Sequence, residues 1–382
     1  MRRGIAVVLL GFVAAGLLTI ATQAGMPEPA GDSPPGATVK PAPPEPRHVD
    51  LAVCLDTSNS MDGLIDSAKQ KLWAVVNELA TAKPRPVLRV ALYQYGNDRL
   101  ERENGWVQRV CDLTDDLDAV YGKLFALTTQ GGTEYVARVM QAAAEELRWS
   151  ADKNALKMIV IAGNEPATQD DKFKLEDACK ATAGKGIIVH TIFCGSDQEG
   201  RSTGWADAAR WADGQYAAID QDRGTVAVAT PYDAGLAALN GELNKTYVAF
   251  GGEGRAGAAN QAAQDANASK SGPAAAADRA IAKAGGLYQN ARWDLVDAVK
   301  NGLADPAKLD KDRLPPEMQK MAPAERKAYV ERQAATRAEV QKQIQDLSAE
   351  RDKYVKEEMA RKGLGEDKAF DAVLRAAVRA KL

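Results

Sequence analysis

The sequence predicts an α/β protein: a doubly wound, Rossmann-like domain with a mostly parallel central sheet, followed by a mainly helical C-terminal segment. Three observations predict it. Short, continuously apolar runs alternate with stretches of helical periodicity, the pattern of a parallel sheet covered on both faces. A polar turn, Asp56-Thr57-Ser58-Asn59-Ser60-Met61, follows the first apolar run directly and opens a helix, as loops at the carboxyl edge of such a sheet do. After Phe250 the alternation stops, and the chain becomes rich in Ala and charge.

The elements follow in order. Arg2 and Arg3 precede an apolar run from Ile5 to Ile20, with small residues at Thr22 and Ala24. Residues 1–24 therefore read as a signal peptide cleaved after Ala24, which places the rest of the chain outside the cytoplasm. An N-terminal anchor that tethers the chain to a membrane is the alternative, because the run is nearly long enough to span. Residues 25–47 are rich in Pro, Gly and Ala, and read as an extended linker.

The domain proper is expected over 48–250. Val49–Leu55 reads as a strand buried on both faces. Met61–Ala82 places Leu64, Ile65, Ala68, Leu72, Val75, Val76 and Leu79 at helical spacing. Val87–Tyr95 is a second strand, and the more polar Trp106–Leu113 a third, at the edge. Asp115–Leu127 and Glu134–Trp149 read as helices, the first with Asp at its positive end. Leu156–Ala162 is a strongly apolar strand, Lys172–Ala183 a helix closed by Gly184, and Gly186–Cys194 a strand. Trp205–Ala212, Gln215–Ile219 and Asp233–Tyr247 complete the pattern as helix, strand and helix. Residues 251–277, mostly Gly, Ala, Asn, Gln and Ser, read as a flexible linker. The remaining 278–382 read as a helical region, with a long helix over Ala324–Lys362 carrying a thin apolar stripe of Tyr329, Val340, Ile344, Leu347 and Tyr354. The stripe suits a helical hairpin or a coiled-coil seam for self-association; a partly solvated tail is the alternative.

Composition excludes several functions. The net charge of −3 over 382 residues gives no basic field for nucleic acid. Two histidines, His48 and His190, leave little for a Ser-His-Asp triad or a His-rich zinc site. Cys54, Cys111, Cys179 and Cys194 are widely spaced without a CxxC pair. They read as buried free thiols, with one bridge as the alternative in an oxidising compartment.

The chemistry centres on Asp56, Ser58 and Ser60. The spacing Asp-x-Ser-x-Ser sets one carboxylate and two hydroxyls on one tight loop, the hard oxygen donors that Mg²⁺ or Mn²⁺ takes. Helix capping explains one such residue at a helix start, but explains three less well. Gly131-Gly132-Thr133-Glu134 offers a further hydroxyl, and Gly163-Asn164-Glu165 follows the Leu156–Ala162 strand at the same edge. No P-loop occurs. Aspartyl-nucleophile phosphotransferases carry a second carboxylate two residues after the first, where this chain has Ser58. The paired acids Asp115-Asp116 and Asp170-Asp171 lie at helix starts, where the dipole accounts for them. The chain is therefore expected not to be an enzyme. Trp205 and Trp211 are read as packing residues.

DTSNSM after the first strand, GGT in a later loop and a Gly-polar step after the fourth strand together resemble the metal-ion-dependent adhesion site of von Willebrand factor type A domains. The resemblance covers about half the chain. Phrases such as AKQKLWAVVNELA, DLTDDLDAVY, GIIVHTIFCG and VAVATPYD resemble a subgroup of exported bacterial A-domain proteins of unknown function. The resemblance implies strand order 3-2-1-4-5-6 with one antiparallel edge. It implies an Mg²⁺ or Mn²⁺ ion held by Asp56, Ser58, Ser60, Thr133 and Asn164, with an open position that an acidic side chain of a protein partner completes. One departure stands out: the third loop of the family offers Asp where this chain has Asn164, which keeps a carbonyl acceptor but loses a charge. Glu165 is the adjacent candidate to restore it. The alternative is a metal-free scaffold in which Asn164 hydrogen-bonds the loop and the helical tail does the interacting; a metal-assisted hydrolase ranks last.

Overall fold

The computed structural model describes residues 47–81, 85–219 and 228–362. The expectations for the signal segment, for residues 25–46 and for the chain beyond Lys362 lie outside the described residues.

Six strands form one sheet in the order β3-β2-β1-β4-β5-β6. They are β1 (His48–Asp56), β2 (Val87–Tyr95), β3 (Val107–Thr114), β4 (Leu156–Gly163), β5 (Ile187–Cys194) and β6 (Tyr216–Ile219). All neighbours run parallel except β2 and β3, so the expected topology with one antiparallel edge holds. Strand β1 is apolar on both faces because helices cover both. Leu51, Val53 and Leu55 meet Leu64, Ile65 and Ala68 on one side. Ala52 and Cys54 meet Val136, Val139 and Met140 on the other, as the two-residue side-chain period requires. Each fully buried aliphatic side chain of this kind contributes roughly 1.5–3 kcal/mol. The covering helices are α1 (Asp62–Ala80), α2 (Leu117–Phe125), α3 (Val136–Glu146), α4 (Leu175–Gly184), α5 (Asp197–Ser202) and α6 (Trp205–Trp211). The short α5 carries no apolar period and escapes a sequence reading.

Helix starts fall later than the acidic residues suggest. Asp116 is the cap of α2, accepting the Ala119 N–H at 2.9 Å, and the helix begins after it. Asp170 is no cap of α4: it pairs with Arg138 and accepts the Lys172 N–H at 2.9 Å. The four cysteines are free, three buried and Cys111 half-buried. Burial pushes the thiols of Cys54, Cys179 and Cys194 up, which leaves them unreactive.

Two expectations about the C-terminal half are corrected. Residues 251–277 are not a flexible linker: α8 (Gly254–Lys270) occupies most of that stretch, and α9 (Pro273–Ala284) begins inside it. Their helicity comes from Ala-rich propensity, and the buried face of α8 is polar, with Gln261, Gln264 and Ala268, so no apolar period reveals it. The alanines of α9, including Ala277 and Ala280, are fully buried and let that helix approach α1 and α7 (Asp233–Asn244) closely. The helices α10 (Leu295–Lys300) and α11 (Pro323–Lys362) complete the chain. The apolar stripe of α11 is covered by its own chain rather than presented as a seam. Ile344 and Val340 join Leu236, Leu243 and Ala280 in one core, and Tyr354 meets Tyr232 edge to face. The described residues thus form one compact unit, not two domains joined by a linker.

Buried ion pairs fasten the helical region to the sheet domain. Arg279 of α9 is fully buried. It donates to Asp118 of α2 at 2.6 Å and to Asp265 of α8 at 2.5 Å, and stacks over Trp73 of α1 at 4.7 Å. Arg337 of α11 binds Asp294 at 2.6 Å and the Thr246 carbonyl at 2.8 Å. Arg351 binds Asp233 and Asp278 at 2.8 and 2.9 Å. Among the described residues no helix is long and apolar enough to cross a membrane.

Candidate metal centre

Strand β1 lies between β2 and β4, where the winding of the sheet reverses, and ligands of open α/β sheets sit beyond the carboxyl ends at such a point. Register brings the expected residues there. Asp56 pairs with Tyr95, and Leu55 with Ala162, so the loop after Asp56 and the loop after Gly163 emerge side by side.

The first loop is held tightly. The Asp56 carboxylate is fully buried, and its Oδ1 accepts the Ser58 N–H at 2.8 Å. The Ser58 and Ser60 hydroxyls lie 3.1 Å apart, and the Ser60 hydroxyl donates to Asn164 Oδ1 at 3.2 Å. The second loop is stitched to the first through its backbone. Asn59 N–H donates to the Gly131 carbonyl at 2.9 Å, and Gln130 N–H to the Thr57 carbonyl at 3.0 Å. The Asn97 amide bridges the Thr57 and Thr128 carbonyls. The third loop is set by Trp205, whose indole N–H donates to the Glu165 carbonyl at 2.8 Å. Trp205 is thus a packing residue, as expected, and also a positioning one.

The structure brings Asp56, Ser58, Ser60 and Asn164 into one hydrogen-bonded chain. Thr133 stands half-buried on the second loop and is not part of that chain. Two acids join the site that sequence reasoning left in the margin. Glu134 is buried, and Glu165 is half-buried. The Gln169 amide lies between them, 3.5 Å from Glu134 Oε2 and 3.4 Å from Glu165 Oε2. The signal for Glu134 was its place directly after Thr133; the signal for Gln169 was absent.

The electrostatics are unusual. Burial pushes the Asp56 carboxyl up to about 8, with the Glu134 and Glu165 charges adding to the rise against the Ser58 hydrogen bonds. Burial, with Glu165 beside it, raises Glu134 too. Among the described residues no Lys, Arg or His forms an ion pair with any of the three; the nearby Arg138 is taken by Asp170. Asp56 Oδ2 is buried without a hydrogen-bond partner, a costly arrangement for a carboxylate unless something cationic meets it. Among the described residues no three His, Cys, Asp or Glu side chains could by themselves hold a metal ion. The donor set is mixed instead: carboxylate, hydroxyl and amide oxygens without sulfur or imidazole. Such a set fits a hard divalent cation.

Residues 50–204 match the family model of the von Willebrand factor type A domain. The chain carries a von Willebrand factor type A domain. Similar solved structures include the VWA domain of SpRpn10, at 18% identity over 47% of this chain and 98% of that one, with TM-score 0.36. Proximal thread matrix protein 1 from the mussel byssus, with a zinc-occupied MIDAS motif, matches at 14% identity over 47% of this chain and 43% of that one, TM-score 0.35. The pilus adhesin SpaC from Lactobacillus rhamnosus GG, in its open conformation, matches at 13% identity over 46% and 28%, TM-score 0.34. The chain thus spans less than half of the thread matrix protein and of the adhesin. No curated protein matches the sequence. In this A domain the segment that resembles the adhesion-site motif, Asp56–Ser60, begins at the end of β1, and Asn164 stands where the resemblance leads one to expect Asp.

Proposed function

We propose that this A domain is a binding module that recognises a protein partner outside the cytoplasm through a divalent-cation site, and that it is not an enzyme. A domains are commonly protein-interaction modules with a metal-ion-dependent adhesion site. The observation that carries the reading is the buried, unpartnered Oδ2 of Asp56 beside the Ser58–Ser60–Asn164 chain. Asp56, Ser58, Ser60, Thr133 and Asn164 would hold Mg²⁺ or Mn²⁺. The ion, when bound, supplies an open position for an acidic side chain of the partner. The exported location rests on Arg2, Arg3 and the apolar run that follows them.

Calorimetric titration of Mg²⁺ and Mn²⁺ into the chain and its Ser58→Ala variant tests the reading. Wild type is expected to bind, and loss of the hydroxyl to weaken binding by about tenfold or more. Equal behaviour of the two chains across the titration defeats the proposal. One observation favours a second reading, a metal-free scaffold acting through its helical region: the Ser60 hydroxyl already satisfies Asn164 Oδ1 at 3.2 Å. That reading expects no heat from either ion.

A further inference from the structure

The loss of charge at Asn164 leaves the expected donor set with a single carboxylate, Asp56. We infer that Glu134 supplies the second carboxylate of the cation site and takes over the charge that Asn164 lacks. The inference rests on the divalent-cation reading above and assigns a residue that the adhesion-site motif does not include.

Placement is the first argument. Glu134 follows Thr133 just before α3, and its side chain is buried against Gly96 and Gly132 rather than turned to solvent. The space it fills exists because two neighbours are glycines. A Cβ at Gly96 would lie 2.7 Å from Asp56 Oδ1 and 2.8 Å from Glu134 Cγ. A Cβ at Gly132 would collide with Glu134 Oε1 and lie 2.8 Å from Ser58 Cβ. Gly96 also has φ of +75°, a conformation that favours glycine on its own account. The two glycines therefore let the Glu134 and Asp56 carboxylates and the Ser58 side chain crowd together.

Absence of an alternative role is the second argument. The polar neighbours of Glu134 are neutral, namely the Ser58 hydroxyl, its own backbone N–H and the Gln169 amide at 3.5 Å, and among the described residues no cationic side chain pairs with it. A buried carboxylate of this kind is expensive as a structural element. The unpartnered Asp56 Oδ2, buried in the same pocket of the fold, independently calls for a cation. Glu165 is the rival for the role. Its side chain is only half-buried, and its main chain is fixed by the Trp205 indole at 2.8 Å. Glu134 sits instead on the loop that already presents Thr133, against Ser58.

Relocating the charge has a defined signature. Site charge depends on the sum of carboxylates, so an acid restored at position 164 compensates for one removed at position 134. The experiment is a titration of Mn²⁺ alone into the whole chain, followed by the electron paramagnetic resonance signal of free Mn²⁺. Wild type, Glu134→Gln, Asn164→Asp, the double variant Glu134→Gln/Asn164→Asp, and Ser58→Ala are compared, each checked for folding by circular dichroism. Glu134→Gln is expected to weaken binding by about tenfold or more, and the double variant to return to near wild type. If Glu134→Gln binds as wild type does while Ser58→Ala fails, the assignment of Glu134 is overturned and the cation reading survives. If wild type does not bind and only Asn164→Asp does, both are overturned. Rescue by the double variant also shows that a weak single variant is not merely misfolded.

Discussion

Two regions of this molecule that bury carboxylates treat them in opposite ways. In and around the helical region, the buried Asp118 and half-buried Asp265 share Arg279, the buried Asp294 has Arg337, and the buried Asp233 and Asp278 share Arg351. At the carboxyl edge of the sheet, Asp56 and Glu134 lie buried with no such partner among the described residues. The first region recovers the desolvation cost of its charges within the chain, whereas in the second burial pushes the carboxyls up instead. The difference separates structure from function. Compensated charge fixes how parts of a chain sit together, whereas the acids of the second region have no cation of their own and are the ones the proposed cation site draws on.

The sharpest way to break this contrast is to create an uncompensated charge at the junction. Arg279→Ala strips Asp118 of its partner at 2.6 Å and Asp265 of one of its two cations. The expected loss is about 3–5 kcal/mol in a urea melt; a loss near zero would mean that the junction is not closed by charge. A smaller effect is expected from acid. Asp265 is held below its ordinary value of 3.8: burial opposes this, but Lys283 and Arg279 beside it and the Asn244 amide outweigh it. Because the folded value is depressed, its contribution is fully present above the unfolded value and disappears as pH falls through the folded one. Melts on the acid side of 3.8 should therefore show wild type losing stability, and Arg279→Ala losing less over the same interval. The smallest effect belongs to the sheet edge. In chelator at neutral pH, Asp56→Asn exchanges a carboxyl that burial keeps largely protonated for a neutral amide, and keeps the oxygen that accepts from Ser58. Its stability should change by less than about 1 kcal/mol. A loss as large as that of Arg279→Ala would place Asp56 among the structural acids.

How far the sequence carried this picture depended on whether a residue's role is written in its neighbours. The sheet was legible because β1, β4 and β5 are apolar on both faces, and the loop after β1 because its donors fall within five consecutive residues. The free thiols were legible as well. The helices α8 and α9 were not: their contacts run through Gln261, Gln264 and small alanines rather than an apolar period. Their apparent linker composition is what close packing beside a polar network looks like in one dimension. Nor was the apolar stripe of α11 readable as an internal contact, since a stripe does not say which surface covers it. Glu134 was visible only as a letter after Thr133. Its importance comes from burial, and burial there is made by Gly132 of its own loop and Gly96 of the loop after β2.

The direction of β1 has a practical consequence. That strand enters the sheet at His48 and leaves at Asp56, a run of nine residues that spans about 30 Å. The polypeptide preceding it therefore joins the molecule at the end of the sheet remote from the acidic loops. A label or cross-link placed on His48 itself would therefore mark the end of the sheet opposite those loops.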